Sequence, residues 1–230
     1  MERIYMLHGF MGTGDLHFQT QKEFFSKHYE VISPDLPGHG VSSIEANNDY
    51  VETAVEWLVE DLEANGPAYL VGLSLGATLS IHTALKRPDL VKGMVLTGYT
   101  PFVPDHLKGK LDEQHKHFSN LEDTDPDTAD YFKEIHGTKW YDTLTKVNNL
   151  MTFDYPSIDE ETLATLKTPT LLLNGGNELY EVEAAAYVKS KNDSIHIGLL
   201  PGAGHIANIE NPHLYNEMVL DFLRSLMVDK

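Results

Sequence analysis

One serine stands where the sequence could display a reactive hydroxyl. Ser74 is the centre of a G-x-S-x-G pentapeptide, between the apolar run 68–73 and a helical pattern of apolar residues at 79–85. This order predicts a strand, a sharp turn and a helix, with the serine strained at the apex. Gly72 and Gly76 suit the turn because a side chain at either place would collide with the helix beneath. Such a hydroxyl could act as a nucleophile if a base were brought to it.

The segments around Ser74 predict a parallel sheet. Strand-like runs alternate with helical patterns up to residue 97, and the alternation resumes at residue 168. This order is typical of an α/β fold with helices on both faces of a doubly wound, mainly parallel sheet. We expect about six strands, all parallel, with ligands bound at their carboxyl ends. The predicted strands are 3–7, 29–33, 68–73, 91–97, 168–174 and 194–200.

Four motifs together resemble those of the α/β-hydrolase superfamily. The pentapeptide around Ser74 resembles its nucleophile elbow. The others are an H-G-F segment at 8–10, a D-x-P-G-H-G-x-S loop at 35–42, and G-x-G-H at 202–205 followed by E-x-P. The resemblance extends over nearly the whole chain except 99–167, and it implies the α/β-hydrolase fold.

The resemblance implies roles for individual residues. Ser74 would be the nucleophile and His205 its base, and the backbone N–H groups of Phe10 and Leu75 would form the oxyanion hole. The chain order of serine, acid and histidine is also that of the superfamily. His8 is expected to hold its loop rather than to catalyse, and His17 to be a packing or entrance residue.

The third member of the catalytic triad, the acid that orients His205, is less well defined by the sequence motifs than Ser74 and His205 are. The superfamily has G-x-x-D after the strand that corresponds to 168–174, and alignment of Gly175 with that glycine selects Glu178. A carboxylate is needed there to hold the imidazole in one tautomer. Asn177 and Asp105 remain as alternatives.

Residues 99–167 lack strand-like runs and resemble a helical lid inserted into a core of residues 1–98 and 168–230. Aromatic residues of a lid can form an apolar pocket wall. Candidate pocket residues are Phe10, Phe102, Phe118, Trp140 and Tyr141. We expect no metal site among the lid histidines, since those at 115 and 117 lie on different faces of a helix.

Charge and composition limit the classes of molecule that the protein is expected to bind. The net charge of −18 and a pI near 4.9 disfavour nucleic acids and anionic membranes. The three arginines lie outside the motifs, which favours a neutral or cationic small-molecule substrate. Cysteine is absent, so thiolate chemistry is excluded. We expect a cytoplasmic monomer or homodimer that needs no cofactor.

The favoured function is hydrolysis of a small neutral carboxylic ester through an acyl-enzyme. One alternative is the menaquinone-pathway lyase branch, which commonly carries arginine just after the elbow, where Ala77 and Thr78 stand here. Carbon–carbon bond hydrolases and lactonases use the same triad. A ligand receptor or signalling protein that retains the triad is the alternative from another functional class. Enzymes with an aspartate nucleophile are disfavoured by Ser74.

Overall fold

The computed structural model describes residues 1–228, and its centre is a six-stranded sheet in the order β2-β1-β3-β4-β5-β6. Every pair of neighbouring strands is parallel. The prediction of six parallel strands is confirmed. The strands are β1 (Arg3–Leu7), β2 (Glu30–Ile32), β3 (Ala68–Leu73), β4 (Val91–Thr97), β5 (Thr170–Gly175) and β6 (His196–Leu200).

Helices connect the strands and also fill the long interval between β4 and β5. Two short 3-10 helices, Asp105–Leu107 and Gly137–Lys139, lie within that interval. The α-helices are α1 (Gly14–Phe25), α2 (Tyr50–Asn65), α3 (Leu75–Lys86), α4 (Lys108–Ser119), α5 (Leu121–Thr124), α6 (Pro126–His136), α7 (Trp140–Phe153), α8 (Glu160–Thr165), α9 (Leu179–Lys191), α10 (Ala207–Glu210) and α11 (Pro212–Val228).

The sheet is covered on both faces because successive side chains of a strand point in opposite directions. In β1, Ile4 and Met6 join a core with residues of α1 and α11. Tyr5 and Leu7 join a second core with residues of α2, α3 and α9 on the other face. The near-continuous burial of β1, β3, β4 and β5 follows from this double cover.

Residues 98–169, here called the inserted segment, contain α4 to α8 and no strand. A third apolar cluster joins part of this segment to Met11 in the loop after β1. Polar contacts hold the segment to the loop after β2, since Thr143 Oγ1 donates to Gly38 O (2.8 Å) and Lys139 Nζ to Gly40 O (3.1 Å). The role of the segment as a lid stays a prediction.

Three imidazoles join the loops that surround the carboxyl ends of β1 and β2. His8 Nε2 accepts the N–H of Leu36 (2.9 Å), and His39 Nε2 accepts the N–H of Met11 (3.3 Å). His136 Nδ1, from α6, accepts the N–H of Gly40 (2.9 Å). Each ring therefore needs one unprotonated nitrogen.

Burial keeps these rings neutral. It lowers the pKa of His8 to about 3, and it lowers the pKa of His39 well below the ordinary value. The pKa of His136 is also lowered, again mainly by burial. A charged imidazole in such surroundings would lose both its hydration and its role as acceptor.

We expect acid to destabilise the fold through these histidines. The unfolded chain binds their protons near pH 6.5 and the folded chain binds them only at lower pH, so the free energy of unfolding falls as the pH drops from about 7 to 5. Calorimetry in buffers of different ionisation enthalpy measures the protons taken up on unfolding. His8→Gln keeps an acceptor near the Nε2 position without titrating, so it should take up about one proton fewer at pH 5. Equal uptake by both proteins would contradict this explanation.

Candidate active site

Ser74 lies between β3 and α3 in a backbone conformation that few side chains adopt. Its φ of +52° and ψ of −109° lie in a strained region, and the N–H of Ser74 donates to Thr97 O (2.8 Å). A side chain at Gly72 would press on the backbone of Gly76 and Ala77. One at Gly76 would meet the carbonyl of Leu7. The turn is therefore as tight as the sequence predicts.

Two backbone N–H groups near this turn have no acceptor within residues 1–228. They belong to Phe10, in the loop after β1, and to Leu75, the first residue of α3. The first N–H groups of a helix have no partner inside the helix and carry the positive end of its dipole. Free donors of this kind can stabilise an oxyanion.

His205 is oriented by a buried carboxylate. Its Nδ1 lies 2.6 Å from Oε1 of Glu181, whose side chain is fully buried, while the imidazole is 41% exposed. Because the carboxylate accepts, the proton of a neutral ring lies on Nδ1 and leaves Nε2 free to accept a proton. Glu181 lies in the first turn of α9, where the helix dipole favours a negative charge.

The partner of His205 differs from the predicted Glu178. The loop after β5 is so short that Glu178 becomes the N-cap of α9, and the helix then turns Glu181 inward, one turn later. Glu178 is half-buried on the wall of a cavity instead. The alternatives fail too, since Asn177 is exposed and Asp105 pairs with Lys108 at the surface.

One sequence signal for Glu181 was available and missed. Glu181 shares the buried face of α9 with Ala184, Ala185 and Val188. The spacing i, i+3, i+4, i+7 marks one face of a helix, so a carboxylate in this series should be buried. Buried carboxylates need a partner, and a histidine loop at the same edge of the sheet supplies one.

The loop that carries His205 approaches the sheet closely because small residues allow it. Gly98 has φ of +59°, and a Cβ there would lie 2.7 Å from His205 O. A Cβ at Gly175 would meet the backbone of Ala203 and Gly204. The N–H of Gly204 also donates to Glu210 Oε2 (2.6 Å), which fixes the loop from its far side.

Asn174 joins the elements that hold the acid, a role that sequence reasoning did not assign. Its buried amide accepts the N–H of Tyr99 (3.1 Å) and donates to Tyr99 O (3.0 Å) and to Glu181 O (3.2 Å). The end of β4 and the start of α9 are thereby fixed to the end of β5.

Ser74 and His205 line one cavity of about 660 Å³, between the carboxyl edge of the sheet and the inserted segment. No hydrogen bond joins their side chains in the described part of the chain. Such bonds commonly tighten only when substrate binds. The other lining residues are Phe10, Thr78, Gly98, Thr100, Val103, Pro104, Leu107, Lys110, Leu111, Glu113, Gln114, His117, Met151, Tyr155, Glu178 and Tyr180.

Most of the predicted aromatic wall lies elsewhere. Phe10 lines the cavity, but Phe118 packs edge-on behind it, with ring centroids 5.5 Å apart. Phe102 lines a smaller neighbouring cavity. Trp140 is buried in the third apolar cluster, and Tyr141 is 51% exposed. The predictions for the last four residues were wrong. Trp140 and Tyr141 of α7 face the third cluster or solvent, and the wall is formed by other side chains, among them aliphatic ones of 103–111, Met151 and two tyrosines.

Few charges face the cavity. Apart from two histidines, its acidic and basic lining residues are Lys110, Glu113 and Glu178, and no arginine of residues 1–228 is among them. Burial, together with the charges of Glu181 and Glu178, raises the pKa of Tyr180, so its hydroxyl stays protonated. Within residues 1–228 no three His, Asp or Glu side chains cluster in a way that could hold a metal ion. In the same range, no helix has the length and apolar character that a membrane crossing requires.

Mutation of Glu181 and of Glu178 should have different effects on activity, because only Glu181 is bonded to His205. Glu181→Gln removes the charge that orients His205, and we expect the turnover of an activated ester to fall by about 10²- to 10⁴-fold. Glu178→Gln is the matched control and should stay within about threefold, since Glu178 makes no bond to His205. Steady-state kinetics with a p-nitrophenyl ester measures both. A larger loss in Glu178→Gln would reverse the assignment.

Known proteins resemble this chain in sequence and in fold. The family model described as "alpha/beta hydrolase fold" matches residues 2–128. The crystal structure of NosK from Streptomyces actuosus superposes with a TM-score of 0.90 at 34% identity, covering 98% of this chain and 99% of that one.

Two curated relatives carry named activities. The pimeloyl-[acyl-carrier protein] methyl ester esterase of Nitrosospira multiformis is 26% identical over 251 residues, covering 96% of this chain and 94% of its own. The (E)-2-((N-methylformamido)methylene)succinate hydrolase of Acinetobacter baylyi is 40% identical over 100 residues, but the match covers only 42% of this chain and 38% of that protein.

Proposed function

Because this chain belongs to the α/β-hydrolase fold family, we propose that it is a serine hydrolase that cleaves a small neutral carboxylic ester through an acyl-enzyme. One observation carries the proposal. A strained serine opens onto the same cavity as an imidazole whose Nδ1 is bonded to a buried carboxylate. That set contains a nucleophile, a base and a group that orients the base.

The first half of the reaction transfers the acyl group to the protein. Ser74 Oγ attacks the ester carbonyl while His205 Nε2 accepts its proton, and Glu181 balances the charge of the imidazolium. The N–H groups of Phe10 and Leu75 stabilise the oxyanion. The tetrahedral intermediate then expels the alkoxide, which takes the proton from His205 and leaves as the alcohol.

The second half restores the serine. A water molecule gives a proton to His205 and attacks the acyl-enzyme carbonyl at the same oxyanion hole. Collapse of this intermediate breaks the bond to Ser74 Oγ, which recovers its proton from His205. The products are a carboxylic acid and free enzyme.

The cavity supports a substrate of modest size and low charge. Its volume of about 660 Å³ is within the range of small-molecule sites. The wall is mainly apolar, and Lys110 is the single permanent cation on it among the described residues. A substrate with several carboxylates would need more donors, and preferably arginine. Residues 99–167 of the inserted segment would act as the lid over a core formed by residues 1–98 and 168–230.

One of the two relatives supports ester cleavage. The Nitrosospira relative that matches along nearly its whole length is named a methyl ester esterase. The Acinetobacter relative is named as a hydrolase of a succinate derivative, but it matches only over a shorter region. Hydrolysis is common to both names.

The direct test is hydrolysis of p-nitrophenyl esters from acetate to octanoate. We expect turnover with an optimum at short or medium chain length, because the cavity limits the acyl group. Ser74→Ala should lose at least about 10³-fold in kcat, since the nucleophile is removed. Full activity in Ser74→Ala would refute the acyl-enzyme mechanism.

A fluorophosphonate probe separates the alternative functions. Labelling of Ser74 without ester turnover would favour carbon–carbon bond cleavage or a lyase reaction on the same residues. If neither turnover nor labelling is observed, the hypothesis that the protein is an enzyme is refuted, and a ligand receptor is favoured.

A further inference from the structure

We infer that His17 is a positioning residue that holds the Phe10 N–H in the orientation that an oxyanion requires. The inference rests on the proposed serine-hydrolase function, in which that N–H is one of the two donors. His17 itself is not on the cavity wall, so it acts through the loop formed by residues 8–12.

The orientation of the Phe10 N–H depends on the Gly9 carbonyl. The two groups belong to one trans peptide unit, so they point in opposite directions. The Gly9 carbonyl accepts from the N–H of Gly12 (3.2 Å), and His8 Nδ1 lies 2.8 Å from the same oxygen. His8 Nε2 accepts from Leu36, so a neutral His8 carries its proton on Nδ1 and donates it to Gly9.

The bond from His17 fixes the other side of Gly9. Nδ1 of His17 accepts the N–H of Gly9 (3.0 Å). Glycine rotates more freely about its backbone bonds than any other residue, so an unrestrained Gly9 could let the next peptide unit turn. The bond to His17 restrains the unit before Gly9, and the bonds to its carbonyl restrain the unit after it.

The imidazole of His17 also fits the loop sterically. A Cβ at Gly12 would lie within 2.6 Å of His17 Nε2, so the ring occupies the space that the glycine leaves. The His17 backbone is held from behind, since its carbonyl accepts from Asn208 Nδ2 (2.7 Å) and its N–H donates to Thr13 O (3.1 Å). Asn208 is a fully buried residue of α10, which follows the His205 loop.

His17 stays a hydrogen-bond acceptor during turnover. Burial, and then the charge of nearby His205, lower the pKa of His17 to about 4. The ring of His8 is neutral as well, and its centroid lies 6.2 Å from that of His17. When His205 takes the proton of Ser74, its charge disfavours a proton on His17 still further, so Nδ1 keeps its bond to Gly9 while the oxyanion forms.

Three substitutions at one position test this role. His17→Asn places an amide oxygen near the Nδ1 position, His17→Gln places it near the Nε2 position, and His17→Leu has no acceptor. We expect the Gln and Leu variants to lose about 10- to 100-fold in kcat with KM changed by less than about threefold, because the oxyanion forms only in the transition state. His17→Asn should recover to within about fivefold of the original protein.

Two further measurements keep the test decisive. Thermal unfolding shows whether each variant is folded at the assay temperature, and only folded variants are compared. Equal kcat in the Asn and Gln variants, or a loss confined to KM, would overturn the inference.

If the original protein hydrolyses no ester, the proposed function fails. The rate of fluorophosphonate labelling of Ser74 then gives the same comparison of variants, because phosphonylation also uses the oxyanion donors. Equal labelling rates in all four proteins would then overturn it.

Discussion

The bond between the Glu181 carboxylate and the His205 imidazole is the interaction on which the rest of the site depends. A fully buried carboxylate is costly without a partner, and Oε2 of Glu181 has none among residues 1–228. His205 therefore supplies the bond that makes this burial tolerable. The same bond leaves Nε2 as the nitrogen of a neutral ring that can accept a proton. Fold stability and the geometry of the candidate site are linked at this pair.

Several residues outside this pair hold Glu181 and His205 close together. Gly98 and Gly175 let the His205 loop cross the carboxyl edge of the sheet at backbone contact distance. Asn174 ties the first turn of α9 to the ends of β4 and β5. The loop formed by residues 8–12 is held by imidazoles rather than by carboxylates. Neutral rings suit that place because they accept backbone N–H groups without adding charge beside the proposed oxyanion hole.

The sequence predicted what short-range chemistry determines. The turn at Ser74 follows from local steric needs, and the parallel sheet follows from the alternation of strand-like and helical segments. The structure contains both. The partner of His205 could not be obtained by counting from Gly175, because it depends on where α9 begins and on which face it buries. The prediction of an aromatic cavity wall was wrong for a related reason, because composition does not say which side of α7 faces the cavity. Trp140 and Tyr141 turn away from it.

The central claim is that Glu181, and not Glu178, holds His205. One-dimensional proton NMR tests it without any substrate, because a proton in a short imidazole–carboxylate bond resonates far downfield of the backbone amides. We predict such a resonance in the original protein and in Glu178→Gln, and its loss in Glu181→Gln. Its persistence in Glu181→Gln together with its loss in Glu178→Gln would contradict the account.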